Sequence, residues 1–431
     1  MDLLNANDIN GQYPASYYSV TASRLDPFPA ATGAISCDVC VVGGGYSGLS
    51  SALHLAQAGY DVVLMDAQRV GFGASGRNGG QVGAGQRIGQ DTLERIIGNP
   101  QARALWNLSL ESVSLVRDLI SVHELDCGWV NGIIEADHRA RYVSHSHEYC
   151  DKLRNEYNYS SIRPVERDEM RALVGSSAYY GGTIDMGSGH IHPLRFALGL
   201  AKAARNAGVR IHESSKVTSV KSDGKVTTDQ AQITAKHVIL CCNGYLGALN
   251  DHVAQRVMPI NNFIVATEPL SGDMARSLIR DNHAVADSKF VINYFRLSED
   301  NRMLFGGGES YGYKFPNNIA KTVRKPMLKI YPQLKDTKID YAWGGTLGIT
   351  MNRMPHFSRV SNNVLSISGY SGHGIAMATL AGKLAAQAVS GQTEKFDIFS
   401  SVPTPRFPGG PRLRTPLLVL AMLWYSIRDR L

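Results

Sequence analysis

Gly43, Gly45 and Gly48 are the first residues whose spacing could do chemistry, because they form a G-x-G-x-x-G turn. The first glycine permits a tight turn, the second lets backbone N–H groups approach a pyrophosphate at a helix N-terminus, and the third permits close packing of helix on strand. An acidic residue roughly 20 positions further on accepts hydrogen bonds from an adenosine ribose, and Asp66 stands there. A second glycine-rich turn, Gly369-Tyr370-Ser371-Gly372-His373-Gly374, carries a histidine able to position a ligand or stabilise charge. His145/His147 and His190/His192 have a spacing that suits metals. Neither pair has an accompanying carboxylate and cysteine cluster, so no metal is expected.

The elements that must hold these turns can be read from apolar periodicity. Residues 37–42 form a strand and 49–58 a helix stopped by Gly59; residues 61–65 form a second strand ending in Asp66, which completes a βαβ unit. A glycine-dense segment follows over 71–85, then helical spacing over 92–122. Residues 127–185 and 257–345 mix β-branched and aromatic runs with turn signals, as an antiparallel sheet in two pieces would. Between them lie a helix over 194–207, stopped by Gly208, and strands near 209–211, 216–220 and 237–242. A strand over 364–368 enters the second glycine turn, and a helix over 375–390 leaves it.

The expected architecture is α/β plus α+β. A discontinuous Rossmann-like dinucleotide domain takes 36–90, 186–256 and 346–400, and an antiparallel-sheet substrate domain takes 91–185 and 257–345. A tail over 401–431 carries a short amphipathic helix, whose run at 416–427 is too short to cross a bilayer.

Bulk composition excludes little. Hydrophobic residues make up 44% of the 431 and charged residues 19%, the balance of an ordinary globular protein. The net charge of +7 suits an anionic cofactor as well as nucleic acid, and no nucleic-acid role is expected. The first 35 or so residues lack a cationic start followed by an apolar run, so a cytoplasmic location is expected. The six cysteines read as reduced thiols. Cys37 and Cys40 have C-x-x-C spacing, but an offset of three along a strand should point them to opposite faces.

The segment Gly71-Phe72-Gly73-Ala74-Ser75-Gly76-Arg77-Asn78-Gly79-Gly80-Gln81 resembles the loop of the D-amino-acid oxidase superfamily of flavoproteins that runs beside the pyrophosphate, ribityl chain and flavin ring. Its small residues let backbone donors lie against a large flat ligand, while Arg77 and Asn78 can reach oxygens. The resemblance implies FAD. It also implies that Val217 meets adenine through its backbone, that Asn243 and Gly244 form the turn after their strand, and that the helix after Gly374 aims its N-terminus at the flavin pyrimidine edge, where negative charge gathers on reduction. The expected cofactor-binding set is Gly43, Gly45, Tyr46, Ser47, Gly48, Asp66, Ala67, Gly73, Ala74, Ser75, Arg77, Asn78, Gly79, Gly80, Gln81, Val217, Asn243, Gly244, Gly345, Gly372, His373, Gly374 and Ile375. The expected catalytic set is His373 with Gly372 and Gly374, and Tyr294 and Trp343 as walls for the substrate.

Departures from the superfamily bear on the substrate. Amino-acid oxidases carry an arginine fork in a Gly-x-Arg-Pro turn where this chain reads Gly345-Thr346-Leu347-Gly348, and sarcosine oxidases carry a lysine where Ala376 stands. An amine without an adjacent carboxylate fits better, although Arg87, Arg296 or Arg353 could bind a carboxylate differently. The cysteine and histidine through which some relatives tether FAD are missing, so the flavin should be non-covalent. Cys37-Asp38-Val39-Cys40-Val41-Val42-Gly43-Gly44-Gly45-Tyr46, the run from Gly71 to Gln81, Asn293-Tyr294-Phe295-Arg296-Leu297 and the tail ending Trp424-Tyr425-Ser426-Ile427-Arg428-Asp429 resemble the γ-glutamylputrescine oxidases. That resemblance implies oxidation of an acylated diamine, with hydrogen peroxide formed if O2 is the acceptor. The lysine with which sarcosine oxidases activate O2 is absent from Met303-Leu304-Phe305-Gly306-Gly307, so a dehydrogenase using a quinone or protein acceptor, and a flavin-binding subunit of a larger oxidase, both stay open. The tail could touch a membrane surface peripherally or a second copy in a homo-oligomer.

Overall fold

The computed structural model describes residues 3–310 and 312–409. The apolar run expected at 416–427 lies outside the described residues.

Two sheets organise the chain. The first has eight strands, in the order His356–Ser361, Val364–Ser368, Ala231–Leu240, Gly33–Val42, Val62–Met65 and Arg210–His212, with Lys225–Thr228 and Val217–Val220 continuing from Ala231–Leu240. The pairings from Val364–Ser368 across to Arg210–His212 are parallel. Parallel strands are covered on both faces and so read as unbroken apolar runs, and Val62–Met65 is buried at every position. The helices Tyr46–Gln57 and Gly374–Val389 pack on this sheet and on each other, and Pro193–Asn206 packs on Tyr46–Gln57. Between Tyr46–Gln57 and Gly374–Val389 the approach is close enough that a Cβ on Gly382 would lie 2.4 Å from the Ser47 carbonyl oxygen. The Ser50 and Ser51 hydroxyls donate across this contact to the carbonyls of Thr379 (2.7 Å) and Gly382 (3.0 Å).

The second sheet has nine strands, in the order Ile339–Ile349, Met258–Thr267, Met303–Ser310, Tyr294–Leu297, Ala284–Asp287, Val130–Ala136, Gly182–His190 and Gln81–Val82, with Ile162–Val165 also on Gly182–His190. It is antiparallel except where Ala284–Asp287 meets Val130–Ala136. The strand Gln81–Val82, expected with the dinucleotide unit, joins this sheet, so the glycine-rich loop leaves one sheet and ends in the other. An apolar cluster including Phe263, Phe295, Phe305 and Tyr331 fills its outer face.

Local expectations fail where the burial signal is weak or a glycine intervenes. The helical stretch expected over 92–122 is two helices, Gln90–Ile97 and Asn99–Val122, broken at Gly98, whose φ is +80°. The helix Ala140–Asn155 falls inside a stretch read as sheet; it buries only Cys150 and Leu153, too few to show a period of 3.6. The thiols of Cys37 and Cys40 do not face apart. Both join one apolar cluster with Val42 and Val63, and the amides of Asp38 and Val39 both donate to the Asp61 carbonyl. Both are free thiols, and burial pushes the Cys37 thiol up to about 11.

Candidate active site between the sheets

Ligands of open α/β sheets bind outside the carboxyl ends of the strands. Four segments emerge there: the turn after Gly33–Val42, the loop after Val62–Met65, the turn after Ala231–Leu240 and the turn after Val364–Ser368. In the first, Gly43 has φ +111°, and a Cβ there would lie 2.8 Å from the Cys241 carbonyl oxygen. A Cβ on Gly48 would lie 1.8 Å from the Gly43 carbonyl oxygen, so only glycine lets the helix Tyr46–Gln57 start so close to its strand. Gly45 caps that helix with no side-chain hydrogen bond, and the Tyr46 N–H donates to Ser75 Oγ at 3.0 Å. A helix N-terminus of this kind offers donors to phosphate oxygens.

Asp66 accepts from the Gly44 N–H at 2.6 Å and the Gln68 N–H at 2.7 Å. Burial raises its carboxyl to about 6, and those two N–H groups pull it back down. Next to it, Ala67 is half-buried. Val217 opens its strand and packs against the cluster that contains Val42 and Met65, at the ends of the first two strands.

The loop after Asp66 is shaped by its own side chains. Asn78 Nδ2 donates to the carbonyls of Ala74 (2.9 Å) and Ser75 (3.1 Å), and its Oδ1 accepts from the Gly80 N–H at 2.8 Å. Arg77 is buried; its guanidinium bonds to Asp8 at 3.0 Å, to the carbonyls of Phe72 (2.7 Å) and Gly344 (3.2 Å), and covers the Phe72 ring. A Cβ on Gly73 would lie 3.3 Å from the Tyr245 ring and one on Gly345 3.2 Å from Arg77. The Gln81 amide donates to the Val285 carbonyl at 3.0 Å.

The two sheets meet over this loop. Trp343, on Ile339–Ile349, is buried and donates its indole N–H to the Arg77 carbonyl at 3.0 Å. The Tyr294 ring lies between Gly79 and Gly306, where a Cβ on either would collide with it, and its hydroxyl donates to Asn262 Oδ1.

The two remaining turns are tied together. Asn243, at φ +47°, accepts from the Gly369 N–H at 2.9 Å, and Ser371 N–H donates to the Gly348 carbonyl at 3.0 Å. Gly244 packs against the Leu347 backbone. Gly372 is exposed, Gly374 half-exposed and Ile375 buried at the start of the 16-residue helix Gly374–Val389. His373 caps this helix without a side-chain bond to it; Nε2 instead meets the Gly83 carbonyl at 3.0 Å. Burial lowers the imidazole to about 4, with Arg87 adding to the effect. The ring is therefore neutral at pH 7, with its proton on Nε2, where a carbonyl can only accept.

Of the three arginines considered for a carboxylate, Arg296 is consumed: it is buried and donates to the carbonyls of Gly79, Leu297 and Ile191 and to the Tyr18 hydroxyl. Arg87 and Arg353 are not so engaged. His190 Nε2 meets the Asn282 carbonyl at 2.8 Å, and His192 bonds to Thr21 and the Arg195 N–H. Among the described residues no group of three or more His, Cys, Asp or Glu could hold a metal, and no helix is long and apolar enough to cross a membrane.

Three contributors went unseen in the sequence. Asp8 and Asn7 belong to an N-terminal segment that reaches across the site, Asp8 to Arg77 and Asn7 to Tyr313 and Phe315. Asn262 holds Tyr294.

The family model described as "DAO: FAD dependent oxidoreductase" matches residues 38–388. The chain is 41% identical over 423 residues, 97% of its length and 99% of the relative's, to the "Gamma-glutamylputrescine oxidoreductase" of Escherichia coli K12. It is 39% identical to the "Probable oxidoreductase OrdL" of Rhizobium meliloti, over 96% of this chain and 97% of that one. Among solved structures, glycine oxidase from Geobacillus kaustophilus superposes with a TM-score of 0.73 at 20% identity, over 86% of this chain and 99% of that one. L-proline dehydrogenase from P. horikoshii gives 0.69 at 20% identity, covering 86% and 96%. The glycine turns, the donors at two helix N-termini and the buried loop between the sheets fit a dinucleotide flavin, and the chain belongs to the DAO family of FAD-dependent oxidoreductases.

Proposed function

We propose that the chain oxidises the primary amine of an acylated diamine, γ-glutamylputrescine or a near relative, to an imine that water hydrolyses to aldehyde and ammonia, with O2 reduced to hydrogen peroxide. The observation that carries this is the likeness to the Escherichia coli protein across 97% of the chain. The positions where amino-acid and sarcosine oxidases place a carboxylate-binding cation support it, since they hold Leu347, against the Asn243-Gly244 turn, and Ala376, buried in the helix Gly374–Val389.

FAD, when bound, accepts a hydride from the carbon that bears the amine. The protein's part is to orient and enclose. The loop held by Asn78, Arg77 and Trp343 forms a rigid bed along the cofactor, and the Tyr294 ring, fixed between Gly79 and Gly306, forms the facing wall. The backbone N–H groups of Gly372 and Gly374 and the dipole of the helix behind them favour negative charge at the reduced ring. His373, held neutral, contributes no positive charge of its own, which leaves this stabilisation to the helix N-terminus. The eight-stranded sheet serves as the FAD domain and the nine-stranded sheet as its roof, with the flavin non-covalent. Six free cysteines among the described residues support a reducing, cytoplasmic setting.

Turnover in air with acylated diamines, following aldehyde and hydrogen peroxide together, tests the acceptor. Equal yields support an oxidase. Aldehyde formed only when a quinone dye is added would make the enzyme a dehydrogenase, and no aldehyde in either assay would reject the substrate class.

A further inference from the structure

Residues 4–18 run from one sheet to the other and are tied to both. On the first sheet's side, Gln68 Nε2 donates to the Leu4 carbonyl at 3.1 Å, Gln68 Oε1 accepts from the Gly11 N–H at 2.6 Å, and the Tyr13 hydroxyl donates to the Val70 carbonyl at 2.7 Å. Gln68 in turn donates its backbone N–H to Asp66. On the second sheet's side, Asn7 Nδ2 donates to the Tyr313 carbonyl and Asn7 Oδ1 accepts from the Phe315 N–H, both at 2.7 Å, and the Tyr17 hydroxyl donates to Asp300 at 2.8 Å. The segment precedes residues 38–388, which match the family model.

Asn7 and its neighbour Asp8 close a ring of contacts at the glycine-rich loop. The Phe315 ring lies against Gly344, where a Cβ would come within 2.7 Å of it. The Gly344 carbonyl accepts from Arg77 at 3.2 Å, and Arg77 pairs with Asp8 at 3.0 Å. The Arg77 and Asp8 side chains are only 1% and 7% exposed, and a carboxylate on a guanidinium fixes a long side chain of many rotamers in one orientation. Arg77 Nη2 is left buried without a partner among the described residues. Buried donors are hydrogen-bonded as a rule, and a cofactor oxygen beside this loop would complete the fork.

We propose that residues 4–18 are a latch on the FAD site. Asp8 and Asn7 are its positioning residues: they act on the cofactor through Arg77 and the loop after Asp66, so FAD leaves only when the segment lifts. Coupling between two binding events is reciprocal. A docked segment that holds FAD more tightly is itself held more tightly by bound FAD, because an Arg77 whose last donor is satisfied offers Asp8 a fixed partner. The latch rests on membership of the FAD-dependent family and is independent of which amine is oxidised.

Holoenzyme diluted into flavin-free buffer reports FAD release as a rise in flavin fluorescence. Asn7→Ala removes the bonds to Tyr313 and Phe315 and leaves Arg77 and Asp8 intact. It should release FAD about tenfold faster than wild type, the loss expected when a pair of hydrogen bonds goes. Deletion of residues 1–12 should release it faster still, while Ile9→Ser, at a side chain exposed on the same segment, should match wild type. The far-UV circular dichroism of each variant should stay that of wild type while FAD leaves. Chymotrypsin should cut after Tyr13 more slowly with excess FAD present than with none added. Equal release rates in wild type and Asn7→Ala overturn the latch, whether or not the deletion folds. FAD loss that tracks a loss of circular dichroism makes the segment a structural brace and also overturns it, as does cutting at Tyr13 that FAD does not slow.

Discussion

The indole N–H of Trp343 donates to the backbone carbonyl of Arg77 at 3.0 Å. One residue belongs to a strand of the nine-stranded sheet and the other to the loop that follows the second strand of the eight-stranded sheet. This bond, with the Arg77 guanidinium bonded to the Gly344 carbonyl at 3.2 Å, locks the sheets together over the glycine-rich loop. Trp343→Phe keeps most of the ring and loses the donor, leaving a buried carbonyl without that partner. A loss of about 1–3 kcal/mol in stability is expected from the orphaned acceptor, with weaker FAD retention. A melt and a flavin titration read both.

Arg77 and Asp8 form an ion pair with both side chains almost wholly buried. Removing one partner strands the other charge away from water, a loss of about 3–5 kcal/mol. Arg77→Ala also removes the bonds to the Phe72 and Gly344 carbonyls and should cost more than Asp8→Asn, which keeps an acceptor for the guanidinium. Denaturant midpoints of the two variants check the order; equal losses would mean that the guanidinium's other contacts contribute nothing.

Glycine positions separate space from backbone strain. A Cβ at Gly48 would sit 1.8 Å from the Gly43 carbonyl oxygen, whereas one at Gly59, at φ +86°, meets nothing within 4 Å. Gly48→Ala should abolish FAD binding, because the helix must retreat from the turn. Gly59→Ala should lose only about 1–2 kcal/mol from the left-handed backbone and keep its yellow colour after desalting.

His190 is buried, donates from Nε2 to Asn282, has no partner on Nδ1 and lies close to Arg296. Burial, with Arg296 adding to it, lowers the imidazole to about 3. The unfolded chain takes up a proton near the ordinary value of about 6.5, which the folded chain refuses. This contribution to stability is complete above that value and is lost progressively as the pH falls toward 3. His190→Gln, which keeps a donor for Asn282, should flatten the fall in melting temperature between pH 6.5 and 4 relative to wild type. An unchanged slope would show that the acid sensitivity arises elsewhere.

How much could be read from the chain depended on whether chemistry left a pattern. The tight strand-to-helix turn at Gly43, Gly45 and Gly48 was legible because close packing constrains both residue type and spacing, and the parallel strands because burial on both faces makes runs such as Val62–Met65 wholly apolar. The protein partners of Arg77 were not legible: its guanidinium bonds to Asp8 and to the carbonyls of Phe72 and Gly344. Asp8 lies 69 residues away in sequence, and no local signal pairs two such residues.

The central claim is tested most directly by the absorbance of desalted protein under anaerobic conditions, before and after addition of γ-glutamylputrescine, putrescine, sarcosine or an α-amino acid. The flavin band should be present without added FAD and should bleach with γ-glutamylputrescine well ahead of the others. Bleaching by the α-amino acid or sarcosine alone would contradict the account, because it would require a carboxylate beside the reacting carbon to be held where Leu347 and Ala376 offer no cation.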